Sequence, residues 1–174
     1  MKFDDIPQFT RSGNWECDFP YDYFVREINR MVKEEGLQLN PDFQRGHVWT
    51  EEQQIKYIEF LLRGGKTARV IYLNNPNWMR YIDRPYKDFV CVDGLQRYTA
   101  IKRFIRNEIK AFEYYYNEFE DNLRMKHDMK ININDLPTRK DVLEWYIQFN
   151  SGGTIHTEEE IERVKKLLEA EVEG

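Results

Sequence analysis

The sequence predicts a single domain of the α+β class, with α/β as the alternative, and three observations carry that prediction. Two short runs, 69–74 (RVIYLN) and 88–92 (DFVCV), are almost continuously apolar and rich in β-branched or aromatic residues, the pattern of strands covered on both faces. The stretches around them repeat apolar residues at helical spacing. The 174 residues, 41% of them hydrophobic and 15% aromatic, suffice for one core, or for one core with a small helical extension.

In chain order, Phe24, Val25, Ile28, Met31 and Val32 recur at helical spacing and predict a helix over 21–35, which Gly36 stops. Thr50 followed by Gln53 makes a capping-box pattern, with Ile55, Ile58, Leu61 and Leu62 on one face, so a second helix is expected over 51–63 before Gly64 and Gly65. The two strands come next and should pair, or nearly so, in one sheet. A loop with Pro76, Trp78, Met79, Tyr81 and Pro85 joins them, longer than a hairpin needs. Tyr98, Ile101, Phe104 and Ile105 mark a third helix over 94–107, and Val70, Tyr72, Val90, Val92, Ile101 and Ile105 are expected in one core. Residues 111–116 read as another strand, while 117–130 are highly charged and ambiguous. A helix over 138–150 turns Val142, Trp145, Tyr146 and Phe149 inward. After a break at Ser151, Gly152 and Gly153, a capping box of Thr157 and Glu160 opens a last helix with Ile161, Val164, Leu167 and Leu168 as its stripe. The expected organisation is one domain over 1–174, its core near 20–135 and its C-terminal helical pair near 138–172.

Charge and composition narrow the function. Lys and Arg number 26 against 31 Asp and Glu, a net −5, which excludes a strongly cationic DNA-coating protein and leaves DNA affinity weak or indirect. No apolar run approaches the ~20 residues of a membrane helix. The start, MKFDDIPQF, carries two aspartates where an export signal would be basic and then apolar, so a cytoplasmic protein is expected. Cys17 and Cys91 stand far apart without a His at ligand spacing, and His47, His127 and His156 are scattered. Neither a disulfide framework, a zinc site, a His-based triad nor an HNH-type metal nuclease is supported.

Three clusters could carry chemistry. In Val90-Cys91-Val92-Asp93-Gly94-Leu95-Gln96-Arg97 a buried strand ends in an aspartate, turns on a glycine and starts a helix. The free N–H groups and dipole of such a helix favour an anion, for which a phosphate would fit. Arg97 opposes that dipole by roughly 0.3–1 kcal/mol unless something negative lies beside it. That partner is either a ligand phosphate or a nearby carboxylate, and Asp93 with Gln96 also reads as a plain capping box. The second cluster, Asn40-Pro41-Asp42-Phe43-Gln44-Arg45 followed by Trp49, could offer Arg45 to a phosphate and a ring to a base. Alternatively Phe43 and Trp49 are core anchors and Arg45 forms a surface ion pair. The third, Asn150-Ser151-Gly152-Gly153-Thr154, is a phosphate nest or a tight turn between helices. The basic stretch of Lys102, Arg103, Arg106 and Lys110 reads as a solvated face or as weak DNA contact.

Together, NPDFQRGHVW, RVIYLN, VCVDGLQR and FNSGG, in that order, resemble the N-terminal domain of the GmrSD restriction endonucleases, a branch of the ParB and sulfiredoxin-like superfamily. The resemblance spans about residues 37–160 and departs in two places. Leu95 stands where the first of two glutamines belongs, and the 174 residues end after the helix that follows FNSGG, without the HNH portion of full-length members. It implies a ParB/sulfiredoxin-like fold, a small mixed sheet with flanking helices. It also implies a site that binds, and often helps hydrolyse, a nucleoside triphosphate with a divalent metal, Mg²⁺. Arg97 and Arg45 would hold phosphates, Gln96 and Gln44 would orient a phosphate or water, and Asp93 would bind metal-associated water or position Arg97. Asp93, Gln96 and Arg97 are thus the catalytic candidates, and Gln44, Arg45, Asp93, Gly94, Gln96, Arg97, Asn150, Gly152 and Gly153 the nucleotide-binding candidates. The setting implied is a phage, mobile element or restriction and defence system. The competing readings are a non-catalytic decoy or adaptor for a nucleotide signal or a partner protein and, against the charge, a DNA nickase.

Overall fold

The computed structural model describes residues 6, 15–44, 46, 48–120, 128–151 and 158–173. Their centre is a four-stranded sheet of order β1-β4-β2-β3, formed by β1 (Trp15–Pro20), β2 (Val70–Asn74), β3 (Val90–Asp93) and β4 (Asp128–Asn134). β4 runs parallel to β2 and antiparallel to β1, and β3 is antiparallel to β2, so the sheet is mixed and the class α+β. On one face lie α1 (Tyr21–Glu34), α2 (Glu51–Leu62) and α3 (Leu95–Ile105); on the other lie α4 (Arg139–Ser151) and α5 (Glu158–Glu173). The capping box of Thr50 and Gln53 opens α2 as its spacing predicts. The Thr157 and Glu160 box falls outside the described residues, as do Phe149's side chain and the 152–153 break.

Alternation along the strands divides the apolar residues between the two faces. Ile71, Leu73, Cys91, Met129, Ile131 and Ile133 pack with Phe24, Ile28, Ile58, Leu61, Ile101 and Phe104, whereas Val90, Val92 and Tyr72 pack with Val142, Leu143, Trp145, Tyr146 and Val164. The expectation of one core is therefore corrected: Val90, Val92 and Tyr72 are separated by the sheet from Ile101 and Ile105. Consecutive residues of a two-sided strand cannot share a face.

Residues 111–116 are not a strand either. Phe112 and Glu113 both take positive φ, 51° and 68°, and Ala111 and Tyr114 exchange N–H···O bonds of 2.9 and 3.0 Å around them. This is an isolated two-residue turn of the left-handed type, followed by a single 3-10 turn, Tyr116–Glu118. Two strands went unseen in the sequence. β1 and β4 carry polar residues on one face that satisfy one another: Glu16 accepts from Lys130 Nζ and Asn132 Nδ2, both at 3.0 Å.

A buried amide ties the far end of the sheet. Asn74, fully buried, donates from Nδ2 to the Leu136 carbonyl at 3.1 Å and accepts from the Leu136 N–H at 2.8 Å, replacing a ladder pair where β4 has ended. Asn74→Ala strands both Leu136 groups without solvent and is expected to cost roughly 2–4 kcal/mol, measurable by urea denaturation.

Candidate functional site

β3 reaches its end through a bulge. Leu73 pairs with Cys91 but Tyr72 with Asp93, so one step along β2 spans two along β3, and the extra residue bends the strand just before Asp93. Gly94 follows as the N-cap of α3, with φ 120° and no side-chain cap bond. A Cβ there would stand 2.7 Å from Ile71 Cγ1, so the turn requires glycine both for its dihedral and for its approach to β2. The capping box of Asp93 and Gln96 is not what closes this helix; both side chains are used elsewhere.

Asp93 pairs with Arg97 one turn along, Oδ2 to Nη2. The negative partner that the dipole demands is thus in part internal. Burial disfavours the Arg97 charge, but the Asp93 carboxylate outweighs it and holds the guanidinium above its ordinary pKa. Arg97 Nε is buried with no hydrogen-bond partner among the described residues. Gln96 turns to the 46–49 loop: its Oε1 accepts from the N–H groups of Val48 and Trp49 at 3.0 and 3.1 Å, and its Nε2 donates to the Gly46 carbonyl at 2.7 Å.

The second cluster meets the first from the other side. Gln38 pairs with the open edge of β3, donating to Phe89 and accepting from Cys91 at 2.9 Å each, and the Gln44 side chain donates to the Cys91 carbonyl. Phe43 and Trp49 are core anchors, Phe43 against Tyr146 at 5.2 Å between centroids and Trp49 against Tyr57 at 5.3 Å. Asp42 holds Arg139 at 2.7 Å, and Arg163 donates to the Phe43 carbonyl at 3.0 Å. Arg45 lies outside the described residues, with Gly152 and Gly153; Asn150 belongs to α4, its side chain not described. α4 runs from Arg139 beside Asp42 to Trp145, whose ring meets Tyr72 at 6.2 Å. Tyr72 is the register partner of Asp93, so the C-terminal end of α4 heads toward the end of the sheet where Asp93 sits.

Tyr72 is expected from the sequence only as a core residue, and Tyr57 falls outside the apolar stripe read for its helix, so neither is a sequence candidate for the site. Burial raises both hydroxyl pKa values, and the Arg97 charge opposes the rise in each. Among the described residues no group of three His, Cys, Asp or Glu is placed to hold a metal, and no helix is long and apolar enough to cross a membrane.

The order of these elements, an edge-covering glutamine loop, two strands and a strand-to-helix turn at Asp93-Gly94, coincides with a family model. The model for the GmrSD restriction endonuclease N-terminal domain matches residues 27–136, more than half of the sequence. The chain belongs to that family. The match takes in both glutamine clusters and β2, β3 and β4, and leaves β1, FNSGG and the C-terminal helices outside. No curated protein and no solved structure matches the chain. A GmrSD N-terminal domain places this chain in a restriction and defence setting.

Two tests bear on the turn. Gly94→Ala combines left-handed strain with overpacking against Ile71 and should cost roughly 2–4 kcal/mol in denaturant titrations. Cys91, fully buried under the first turn of α3, has its thiol pushed up to about 12 by burial. The unfolded chain releases that proton first, near its ordinary 9.0, so stability should fall as pH climbs from about 9 toward 12, the raised tyrosines adding the same sign. Native Cys91 should also resist iodoacetamide at pH 8 in a Cys17→Ser background and react once unfolded.

Proposed function

We propose that this GmrSD N-terminal domain binds a nucleoside triphosphate, or a related nucleotide signal, by its phosphates at the N-terminus of α3. One observation carries the reading: α3 opens on an uncapped glycine, and beside it stands a largely buried guanidinium whose Nε has no partner among the described residues. First-turn N–H groups and an arginine together form an anion site. Arg97 holds phosphate while Asp93 fixes its rotamer, and the first-turn N–H groups of α3 face the ligand. Arg45, and the nest of Asn150, Gly152 and Gly153, complete the phosphate contacts in this proposal.

Mg²⁺ fits the donor set as an ion carried by the nucleotide. It keeps several waters and takes one or two carboxylates besides phosphate oxygens, and Asp93 is the carboxylate of the turn. Bound there it would neutralise phosphate charge.

A second reading, binding without turnover by an adaptor or decoy, is favoured by the glutamines. The amides of Gln44 and Gln96 are engaged with backbone groups, and Leu95, nine-tenths buried, offers none. In the proposed site Gln44 and Gln96 therefore act by holding its wall, with no amide assigned to an attacking water. Phosphate release separates the two readings. Calorimetric titration of nucleoside triphosphates with Mg²⁺ tests both, and Arg97→Ala should lose roughly 1.5–3 kcal/mol of affinity, as for a charged hydrogen bond. A large drop in melting temperature with unchanged affinity would instead make Arg97 a purely internal counter-ion of Asp93.

A further inference from the structure

Arg69 opens the RVIYLN run but is not among the candidate site residues, and the fold brings it to the same end of the sheet as Arg97. Lys130 N–H donates to the Arg69 carbonyl at 2.8 Å, so the extended chain of β2 reaches back to it. By strand alternation Arg69 shares a face with Ile71 and Leu73, the face of α1, α2 and α3. Ile71 is the residue that Gly94 sits against. Arg69 therefore lies one pleat, roughly 7 Å, beyond the point where α3 begins.

Tyr57 links Arg69 to the helical layer. Its hydroxyl donates to the Ala68 carbonyl at 2.8 Å, which sets it beside Arg69, and the charges of both Arg97 and Arg69 bear on it. Arg69 Nε is tethered to the Gly65 carbonyl, and the guanidinium has no carboxylate partner among the described residues. The charges of two guanidiniums thus act on one buried hydroxyl, and Asp93 neutralises one of them. The remaining charge, at the same end of the sheet as the start of α3, is one that an anion would balance.

We propose that Arg69 is a second phosphate-binding residue and that the ligand is a polyphosphate chain, running from the N-terminus of α3 and Arg97 to Arg69. This rests on the phosphate site proposed above. The tether to Gly65 fixes the Arg69 guanidinium, so in this proposal a single phosphate satisfies one arginine, whereas two or three linked phosphoryl groups reach both.

The test is titration calorimetry of the chain with inorganic tripolyphosphate and with inorganic phosphate, alongside melting temperatures. The wild type should prefer tripolyphosphate. Arg69→Gln should weaken tripolyphosphate by about tenfold or more and leave phosphate nearly unchanged. Arg69→Lys, which keeps the cation but not the fork, should fall by a smaller factor, and it decides the matter if the Gln variant does not fold. An unchanged ratio of tripolyphosphate to phosphate affinity in the folded variants, with only a lower melting temperature, would reduce Arg69 to a clamp on Gly65 and leave the Arg97 site standing. A wild-type chain that binds neither anion nor nucleoside triphosphates overturns both proposals.

Discussion

The open edge of β3 is the constraint around which the rest of the molecule is arranged. β3 ends the sheet, and its outer N–H and C=O groups would be left unpaired beneath α4, where each unsatisfied group costs about 1–3 kcal/mol. Segment 37–49 meets that demand with the backbone of Gln38 and then the side chain of Gln44. In doing so it wraps from one face to the other and back: Leu37 lies in the first core, Phe43 in the second, and Trp49 against the first again. Gln96 fastens the returning end with three bonds. Each bond contributes only about 1 kcal/mol net, but the set ties the two cores, the edge and the start of α3 into one construction.

That construction sets the electrostatics of the turn. A cation in the first turn of a helix is opposed by the dipole by roughly 0.3–1 kcal/mol, a small term beside the several kcal/mol that desolvation of an unpaired guanidinium would cost. Asp93 therefore compensates the buried charge of Arg97, and the bulge lies just before Asp93. The pair leaves Arg97 Nε without a partner among the described residues.

How much was legible follows from what each segment advertises. α1, α2, α3 and α4 were legible because their apolar stripes and caps are local signals, and β2 and β3 because runs such as VIYLN and FVCV are two-sided core. β1 and β4 hid because Glu16, Lys130 and Asn132 satisfy one another across strands, a compensation that exists only once the strands pair. Phe112 and Glu113 hid their turn because neither is a residue that seeks positive φ. At the site, Asp93, Gly94, Gln96 and Arg97 were legible as a group, but not which neighbours they serve. Gln96 reads as a cap at three residues from Asp93, and only the packing of 46–49 against α3 gives its amide three better partners.

The two glutamines also explain why amides rather than carboxylates stand at these positions. Gln96 uses both ends of its amide at once, accepting from two N–H groups and donating to one carbonyl. A carboxylate would face the Gly46 carbonyl with a second acceptor and add a negative charge beside Arg97. Gln44 must donate to the Cys91 carbonyl, which a carboxylate cannot do when ionised. Leu95 follows the same logic from the other direction. At that buried position an amide would need partners of its own, and leucine fills the space with apolar surface instead. The side chains nearest the start of α3 are thus kept neutral or internally paired, so that the positive character of the helix end and of Arg97 is not cancelled by the loop that covers it.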